Sequence, residues 1–180
     1  MNFYISDLHL GHYNIINLSH RPFKTAEEMD EAMIANWNSV VGPEDDVYIS
    51  GDFSFKSGKN PKKYLDRLNG KKHLIIGNHD GSVLKDPVCR RCFVEIKDRM
   101  EVKDGNRMVV IDHYPLVEWN GFYRGVVHFY GHIHNNVNNA TYSIVKQIPN
   151  AYNIGADILG FTPRTFVEVI ELNKKFFAEH

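Results

Sequence analysis

Histidine and carboxylate side chains recur in five short segments of this chain, and each segment directly follows an apolar run. In chain order the segments are Asp7-Leu8-His9, Gly51-Asp52, Gly77-Asn78-His79-Asp80, Asp112-His113 and Gly131-His132-Ile133-His134. A polar residue after a strand usually begins a turn, but a turn does not require an imidazole. The recurrence therefore predicts that the five segments converge on one metal site.

The donor types of this predicted site indicate transition metals. Imidazole combined with carboxylate suits manganese, which we expect first, and also iron, zinc, cobalt or nickel, whereas magnesium and calcium prefer all-oxygen sites. The candidate ligands are Asp7, His9, Asp52, Asn78, His113, His132 and His134. One ion rarely takes so many ligands, so we predict two divalent ions that share a bridging carboxylate. Paired ions about 3.5–4 Å apart are the usual arrangement for phosphoryl displacement.

The formal charges of this predicted site agree with a phosphate ligand. Two divalent ions, less the carboxylates of Asp7 and Asp52 and one hydroxide, leave a single positive charge. Asn78 is a neutral ligand at a position where an aspartate would cancel that charge. The site is therefore expected to attract an anion.

Buried strands are predicted immediately before the five segments. They cover 3–6, 47–50, 73–76, 108–111 and 126–130, which are short and predominantly apolar. In α/β sheets, binding sites gather outside the carboxyl ends of the strands. The predicted ligands all fall at such ends, so the strands would position them.

Helices are predicted between the first strands. Thr25 and Glu28 form a capping-box pattern before a helix over 26–40, whose apolar residues have helical spacing. Asn60 is the predicted N-cap of a second helix that ends at Gly70. Strands and helices therefore alternate in the first half of the chain.

The second half of the chain has a different pattern. Segments 93–96 and 108–111 flank Asp104-Gly105, which is a hairpin signal. Apolar residues alternate with charges over 165–172, which favours a closing strand. We therefore expect a mixed sheet architecture in one unit.

The composition predicts one globular domain covering residues 1–180. Hydrophobic residues make up 43% and charged residues 24% of the chain, near globular averages. A net charge of −1 argues against a general nucleic-acid coat or a polybasic membrane anchor. No apolar run approaches the ~18 residues that span a bilayer, and the first residues lack a leader pattern. With two cysteines in all, these features predict a cytoplasmic protein without membrane association.

The order of the five motifs resembles that of the calcineurin-like metallophosphoesterase superfamily. The motifs are D-L-H, G-D-F, G-N-H-D, a single H and G-H-I-H, spread over residues 7–134. The chain is similar to the small bacterial and phage members, with G-H-Y-N-I-I at 11–16 and R-P-F at 21–23. This resemblance implies an α/β fold, a four-layer α/β/β/α sandwich of two mixed β-sheets flanked by helices. It also implies a hydrolase of phosphate esters.

The resemblance implies roles for individual residues as well. One ion would be held by Asp7, His9, Asp52 and His134, and the other by Asp52, Asn78, His113 and His132. A hydroxide between the ions would attack phosphorus in line, and His79 would donate a proton to the leaving oxygen. Asp80 would orient the His79 ring and stabilise its charged form.

Three residues near the first motif are candidate substrate-binding residues. His12 and Asn14 follow the first ligand pair closely, although an ordinary loop continuing into a helix would explain them equally. Arg21 would hold a phosphate through paired N–H groups, or would lie in a solvated loop. The sequence leaves both alternatives open for each residue.

The substrate class also stays open. The chain has no room for a large cap domain, so we expect an open site, which suits nucleotides or nucleic-acid ends as readily as small esters. Among these, we favour phosphodiester or nucleotide-like substrates. The alternatives are a phosphomonoesterase, a metal-dependent nuclease or a non-catalytic scaffold, although the intact His79 argues against a scaffold. The basic residues over 56–72 would form a polyanion groove in a nuclease, or otherwise a solvated helix face. We interpret the C-x-x-C spacing of Cys89 and Cys92 as coincidence, because a zinc knuckle needs two more ligands.

Overall fold

The computed structural model of the chain describes residues 1–55 and 60–180. Its strands are β1 (Asn2–Ile5), β2 (Asp46–Ser50), β3 (Lys71–Ile75), β4 (Phe93–Lys97), β5 (Arg99–Asp104), β6 (Arg107–Asp112), β7 (Val127–Tyr130) and β8 (Ala151–Asn153). Its helices are α1 (Tyr13–Leu18), α2 (Ala26–Val40), α3 (Lys62–Leu65), α4 (Gly81–Lys85), α5 (Pro87–Arg90), α6 (Ala140–Val145), α7 (Ala156–Leu159) and α8 (Phe166–Glu179), with a 3₁₀ turn at Phe122–Arg124. Strands therefore precede all five motifs.

The strands form two sheets of four. The first sheet has the order β1-β2-β3-β4, and each of its neighbouring pairs is parallel. The second has the order β5-β6-β7-β8, in which β5 and β6 form an antiparallel hairpin and the other pairs are parallel. The strands that precede the motifs therefore point in one direction within each sheet.

Side chains alternate along the strands between different layers. Phe3 and Ile5 of β1 pack with the buried face of α2, whereas Tyr4 between them packs edge-to-face on Phe129 of the second sheet, 4.8 Å between ring centroids. Tyr130 faces the opposite side of the second sheet and packs with α6. This alternation of period two stacks helix, sheet, sheet and helix in that order. The four-layer α/β/β/α sandwich is confirmed.

The predicted helix over 26–40 is confirmed, and its ends follow from local chemistry. The Thr25 side chain accepts a hydrogen bond from the backbone N–H of Glu28 (3.1 Å), and the Glu28 carboxylate accepts one from the backbone N–H of Lys24 (2.8 Å). Trp37 on the apolar face is buried and donates its indole N–H to the Asn69 carbonyl (3.0 Å). The second predicted helix was expected to extend from an N-cap at Asn60 to Gly70. The corresponding helix, α3, is shorter and covers Lys62–Leu65.

Two sequence-based predictions in the second half of the chain are wrong. The segment 165–172 lies in α8, where Thr165 and Glu168 form a capping box and burial follows helical spacing through Phe166, Val169 and Asn173. Over so short a segment, alternation of apolar and charged residues does not distinguish a strand from a helix. The segment 93–96 lies in β4, which pairs with β3 in the first sheet and not with β6. The hairpin partner of β6 is β5.

Within residues 1–55 and 60–180, no helix is both long and apolar enough to cross a bilayer.

Candidate metal centre

The carboxyl ends of the two sheets meet at one place. Ile5 of β1 lies opposite Ile49 of β2, so the chain turns out of both strands at the same level. Just beyond β1, Ser6 forms a parallel bridge with Gly155, which follows β8 of the second sheet. The motif loops after β1, β2, β3, β6 and β7 therefore share one edge of the sandwich. A cavity of about 330 Å³ opens there.

Asp7 anchors the first cluster of potential ligands. Asp7, His9 and His134 each offer one ligand atom within 4.8 Å of the others. Asp7 and His9 are buried, and the Asp7 Oδ1 atom lies 4.0 Å from His134 Nε2. The second carboxylate oxygen of Asp7 accepts a hydrogen bond from the backbone N–H of His132 (2.9 Å). This carboxylate thus ties the first motif to the last.

Asp52 lies between the two halves of the site. Its Oδ2 atom is 3.4 Å from His9 Nε2 and 3.7 Å from His113 Nε2. Asp7, Asp52 and His113 also offer ligand atoms within 4.8 Å of one another. A single carboxylate oxygen placed between two imidazole nitrogens has the position that a ligand shared by two ions requires.

Asn78 completes the second half of the site. Its Oδ1 atom lies 3.0 Å from His113 Nε2 and 3.1 Å from His132 Nδ1. The other nitrogen of the His113 ring, Nδ1, lies 2.7 Å from the Ser50 carbonyl oxygen. A carbonyl beside Nδ1 favours the tautomer that leaves Nε2 free to bind a metal.

Unpaired buried atoms indicate that the site fits cations. In the described part of the chain, Asp7 Oδ1 and His9 Nε2 are buried without a hydrogen-bond partner. A buried polar atom without a partner costs about 1–3 kcal/mol, which a coordinated ion would offset. Burial lowers the pKa of His9 well below its ordinary value, so this imidazole is neutral, which is the form that binds metals.

The predicted ligands occupy an unusual backbone conformation. Of the seven predicted ligands, all within the described ranges, five have positive φ angles: Asp7 (55°), His9 (51°), Asp52 (53°), His132 (71°) and His134 (51°). Residues with a Cβ rarely adopt this left-handed region, and each instance costs on the order of 1–3 kcal/mol. Such strain persists where surrounding contacts over-determine it and clusters at functional sites. These φ angles turn the backbone sharply after the strands and direct the side chains toward the shared edge of the sandwich.

Two motif glycines permit the close approach of these loops. A Cβ at Gly77 would lie 2.5 Å from the backbone nitrogen of Asp52, and one at Gly131 would overlap Ser6 Oγ and Asp7 Oδ2. Any side chain at either position would therefore push a ligand loop outward.

Asp80 supports the backbone of these loops. Its buried carboxylate accepts hydrogen bonds from the backbone N–H groups of Gly77 (2.8 Å), Asp52 (3.0 Å) and Phe53 (2.9 Å). Burial raises its pKa to about 6. We expected Asp80 to orient the His79 ring, but the structure commits both carboxylate oxygens to backbone N–H groups.

His79 lies at the wall of the cavity. Its backbone N–H donates to Asp52 Oδ1 (2.8 Å), which ties the loop of this histidine to the shared carboxylate. The half-buried ring lies 5.4 Å from the His9 ring and 5.2 Å from that of Phe55. No residue in the ranges 1–55 and 60–180 forms a hydrogen bond with the imidazole of His79.

The predicted substrate-binding residues divide into different environments. His12 lines the cavity, stacks on Phe55 (3.7 Å between centroids) and has its pKa lowered to about 4 by burial. Asn14 is exposed on α1 and is absent from the cavity lining, as far as the described residues define it.

Arg21 has a structural position that the sequence did not predict. The guanidinium is buried, pairs with Asp157 (2.8 Å), and donates to the carbonyl oxygens of Asp7 (2.7 Å) and Leu8 (2.9 Å). These contacts use its N–H groups away from the cavity. Both predicted roles of Arg21, in holding a phosphate and in a solvated loop, are therefore wrong. The guanidinium instead supports the backbone of the first motif.

Asp157 is a functional candidate that the sequence analysis missed. Its carboxylate is buried between Arg21 and His134, and its Oδ2 atom lies 2.8 Å from His134 Nδ1. Burial by itself lowers the pKa of His134. The nearby carboxylates of Asp157 and Asp7 raise it by more, so the pKa lies above its ordinary value. A carboxylate at Nδ1 orients the ring and presents Nε2 to a metal. The segment 153–157 gave no signal beyond a turn.

Replacing Asp157 by asparagine should weaken metal binding by about 10–100-fold, because the partner that orients His134 loses its charge. Titration of the metal-free chain with manganese measures this affinity. Asp98→Asn, an exposed carboxylate after β4, serves as the control. Unchanged affinity in Asp157→Asn, with normal thermal unfolding, would refute the positioning role.

The described part of the basic segment and the two cysteines lie outside the site. In the described part of 56–72, Lys62 pairs with Asp66, and Arg67 binds Glu31 (2.6 Å). Lys71 binds Glu44 (2.9 Å), and Lys72 is buried against backbone carbonyls. Lys56 and Lys59 lie outside the described residues. Of the five described cations, three pair with carboxylates, Lys63 lies over the Tyr64 ring and Lys72 is buried. Neither metal-binding cluster in the described chain includes Cys89 or Cys92, and burial raises the pKa of Cys89 to about 11.

Comparison with known proteins finds one relative that aligns over most of both chains and a phage protein that aligns over part of them. No family model matches the chain. Uncharacterized protein MJ1445 of Methanocaldococcus jannaschii is 31% identical over 173 residues, covering 95% of this chain and 90% of the relative. The Gene 66 protein of Mycobacterium phage L5 is 40% identical over 81 residues, covering 43% of this chain and 39% of the phage protein.

Solved structures show the same fold. A protein of unknown function from Aquifex aeolicus, AQ665, superposes with a TM-score of 0.73 at 25% identity, covering 96% of this chain and 98% of that chain. Weaker likenesses are to the Pseudomonas putida nuclease MPE (TM-score 0.49, 18% identity, 74% and 60% coverage) and to an archaeal phosphodiesterase (0.47, 20%, 86% and 82%). Similarity at this lower level does not bear on the reaction.

Proposed function

The chain belongs to the same family as protein MJ1445 of Methanocaldococcus jannaschii, and we propose that it hydrolyses phosphate esters with two divalent metal ions. The observation that carries the proposal is the Asp52 carboxylate oxygen, 3.4 Å from His9 Nε2 and 3.7 Å from His113 Nε2. The unpaired buried atoms of Asp7 and His9 add to it.

Each ion has its own set of ligands in this proposal. Asp7, His9, Asp52 and His134 hold one ion, and Asp52, Asn78, His113 and His132 hold the other. The mixture of imidazole, carboxylate and amide favours manganese, with iron, zinc, cobalt or nickel as alternatives. When bound, such ions lower the pKa of water and offset the charge that develops on phosphorus-bound oxygens.

His79 is the proposed proton donor to the leaving oxygen. Its ring borders the cavity beside His9, and its backbone is fixed by Asp52. Because the described residues leave the imidazole free of hydrogen bonds, a substrate oxygen can take that place. General acid catalysis of this kind contributes typically about 10²–10⁴-fold to the rate. His12, on the same wall, is proposed to contact the substrate.

A phosphodiester is the preferred substrate on charge grounds. Among the described residues that line the cavity there is no lysine or arginine. Two divalent ions held with the carboxylates of Asp7 and Asp52 and one hydroxide would leave one net positive charge, which would balance the single negative charge of a diester. A monoester dianion would be left partly uncompensated in a half-enclosed site.

Hydrolysis of bis-p-nitrophenyl phosphate and of p-nitrophenyl phosphate tests the proposed function. The chain is treated with a chelator, and each substrate is then assayed with and without manganese. We expect release of nitrophenolate from the diester that depends on manganese and exceeds release from the monoester. Folded chain that carries two metals and cleaves neither substrate would contradict the proposal.

A further inference from the structure

The cavity extends beyond the metal ligands into a neutral lobe. Beyond His134 it is lined by Ile15, Leu18, Ser19, Asn135, Asn136 and Asn139, which we call the asparagine lobe. Its side chains come from α1 and from the loop between β7 and α6. None of these residues belongs to the five motifs that carry the metal site.

The three amides of the lobe are each held at one end. Asn135 Nδ2 donates to the Ser19 carbonyl (3.1 Å), while the side-chain oxygens of Asn136 and Asn139 accept backbone N–H groups two residues on (3.1 and 2.8 Å). Across the described chain, the other end of each amide has no hydrogen-bond partner. The lobe thus offers one acceptor, from Asn135, and two donors, from Asn136 and Asn139. Because each amide is already held at one end, binding a ligand would cost little further side-chain freedom.

An apolar wall stands beside these amides. Ile15 is buried at its base, and Leu18 at the end of α1 leaves 72% of its surface exposed. A flat ring placed against Leu18 would remove this apolar surface from water. A ligand that suits the lobe therefore combines an apolar face with a neutral edge that both donates and accepts hydrogen bonds.

We propose that the asparagine lobe binds the base of a nucleoside esterified to the phosphate at the metal centre. A heterocyclic base has the flat apolar face and the mixed donor and acceptor edge that the lobe matches. The described lobe residues include no charged side chain, so a second phosphate group would find no partner there. On this proposal the substrate is a nucleotide diester. This inference rests on the proposed function.

Two diesters with the same leaving group isolate the lobe. Thymidine 5′-(p-nitrophenyl phosphate) and bis-p-nitrophenyl phosphate both release p-nitrophenolate, and they differ in the group that stays on phosphorus. The test variant is Asn136→Ser with Asn139→Ser, which removes both amide donors and keeps an oxygen for the backbone N–H groups. Asn138→Ser is the matched control, because Asn138 lies in the same loop and outside the cavity lining of the described chain.

We expect the double variant to lose about tenfold in kcat/KM for the thymidine ester, mainly through KM, as two hydrogen bonds are removed. Its kcat/KM for bis-p-nitrophenyl phosphate should be unchanged, and Asn138→Ser should match the parent on both esters. Equal losses on the two esters, or no loss on either, would overturn the lobe assignment while leaving the proposed function intact. Cleavage of neither ester by manganese-loaded parent chain would overturn both.

Discussion

Replacing Asp52 by asparagine is expected to prevent the proposed dimetal centre from forming and to lower kcat/KM on a diester by at least about 10³-fold. The estimate follows because several kcal/mol of metal-based stabilisation would be lost, at about 1.4 kcal/mol for each factor of ten. Asparagine keeps an oxygen that can accept the N–H of His79, now 2.8 Å from Asp52 Oδ1. The substitution therefore removes the shared charge while sparing the loop.

Metal content and activity should fall together in Asp52→Asn. Elemental analysis after dialysis against manganese measures the first, and hydrolysis of bis-p-nitrophenyl phosphate measures the second. Asp30→Asn is a matched control, because Asp30 is a buried carboxylate that binds Gly11 N–H and the Tyr64 hydroxyl outside the site. If Asp52→Asn retained two ions for each chain, the bridging role would be wrong.

The second large effect is expected for His79→Ala, with a loss of about 10²–10⁴-fold in kcat and no loss of metal. The ring of His79 borders the cavity 5.4 Å from the His9 ring, and the ligand sets proposed for the two ions do not include it. Removal of the imidazole should therefore separate catalysis from metal binding, which Asp52→Asn cannot do. His180→Ala, at the exposed end of α8, should behave as the parent chain.

The basicity of the leaving group sharpens the test of His79. A phenolate leaving group needs protonation more than p-nitrophenolate does, since it is the stronger base. The deficit of His79→Ala should therefore be larger for a phenyl ester than for the matching p-nitrophenyl ester. Equal deficits on the two esters would assign His79 to positioning and not to proton donation, and lost manganese would make it a metal ligand.

Much of the site was accessible from the sequence because the relevant signals are local. An apolar run followed at once by Asp7, by Asp52 or by His113 places each side chain at a strand end. Parallel pairing then brings the strand ends to one edge, whatever the details of the loops. The capping box at Thr25 is equally local, and α2 begins and ends where the sequence predicts.

The remaining features depend on contacts between residues far apart in the chain. Arg21 and Asp157 are separated by 136 positions, and neither residue alone distinguishes a buried ion pair from a solvated loop. The left-handed φ angles of the ligands are stabilised by tertiary contacts, such as the hydrogen bond from His132 to Asp7. Local propensity would not select that conformation.

The sequence by itself predicted the candidate metal ligands, the strands that precede them and the α/β class, because residue type and short-range period carry that information. The tertiary structure alone decided that β4 pairs with β3, that 165–172 is helical and that Asp157 orients His134. The physical reason is burial. A strand or a helix takes the position in which its apolar face is covered, and a buried carboxylate takes the position in which its oxygens are paired.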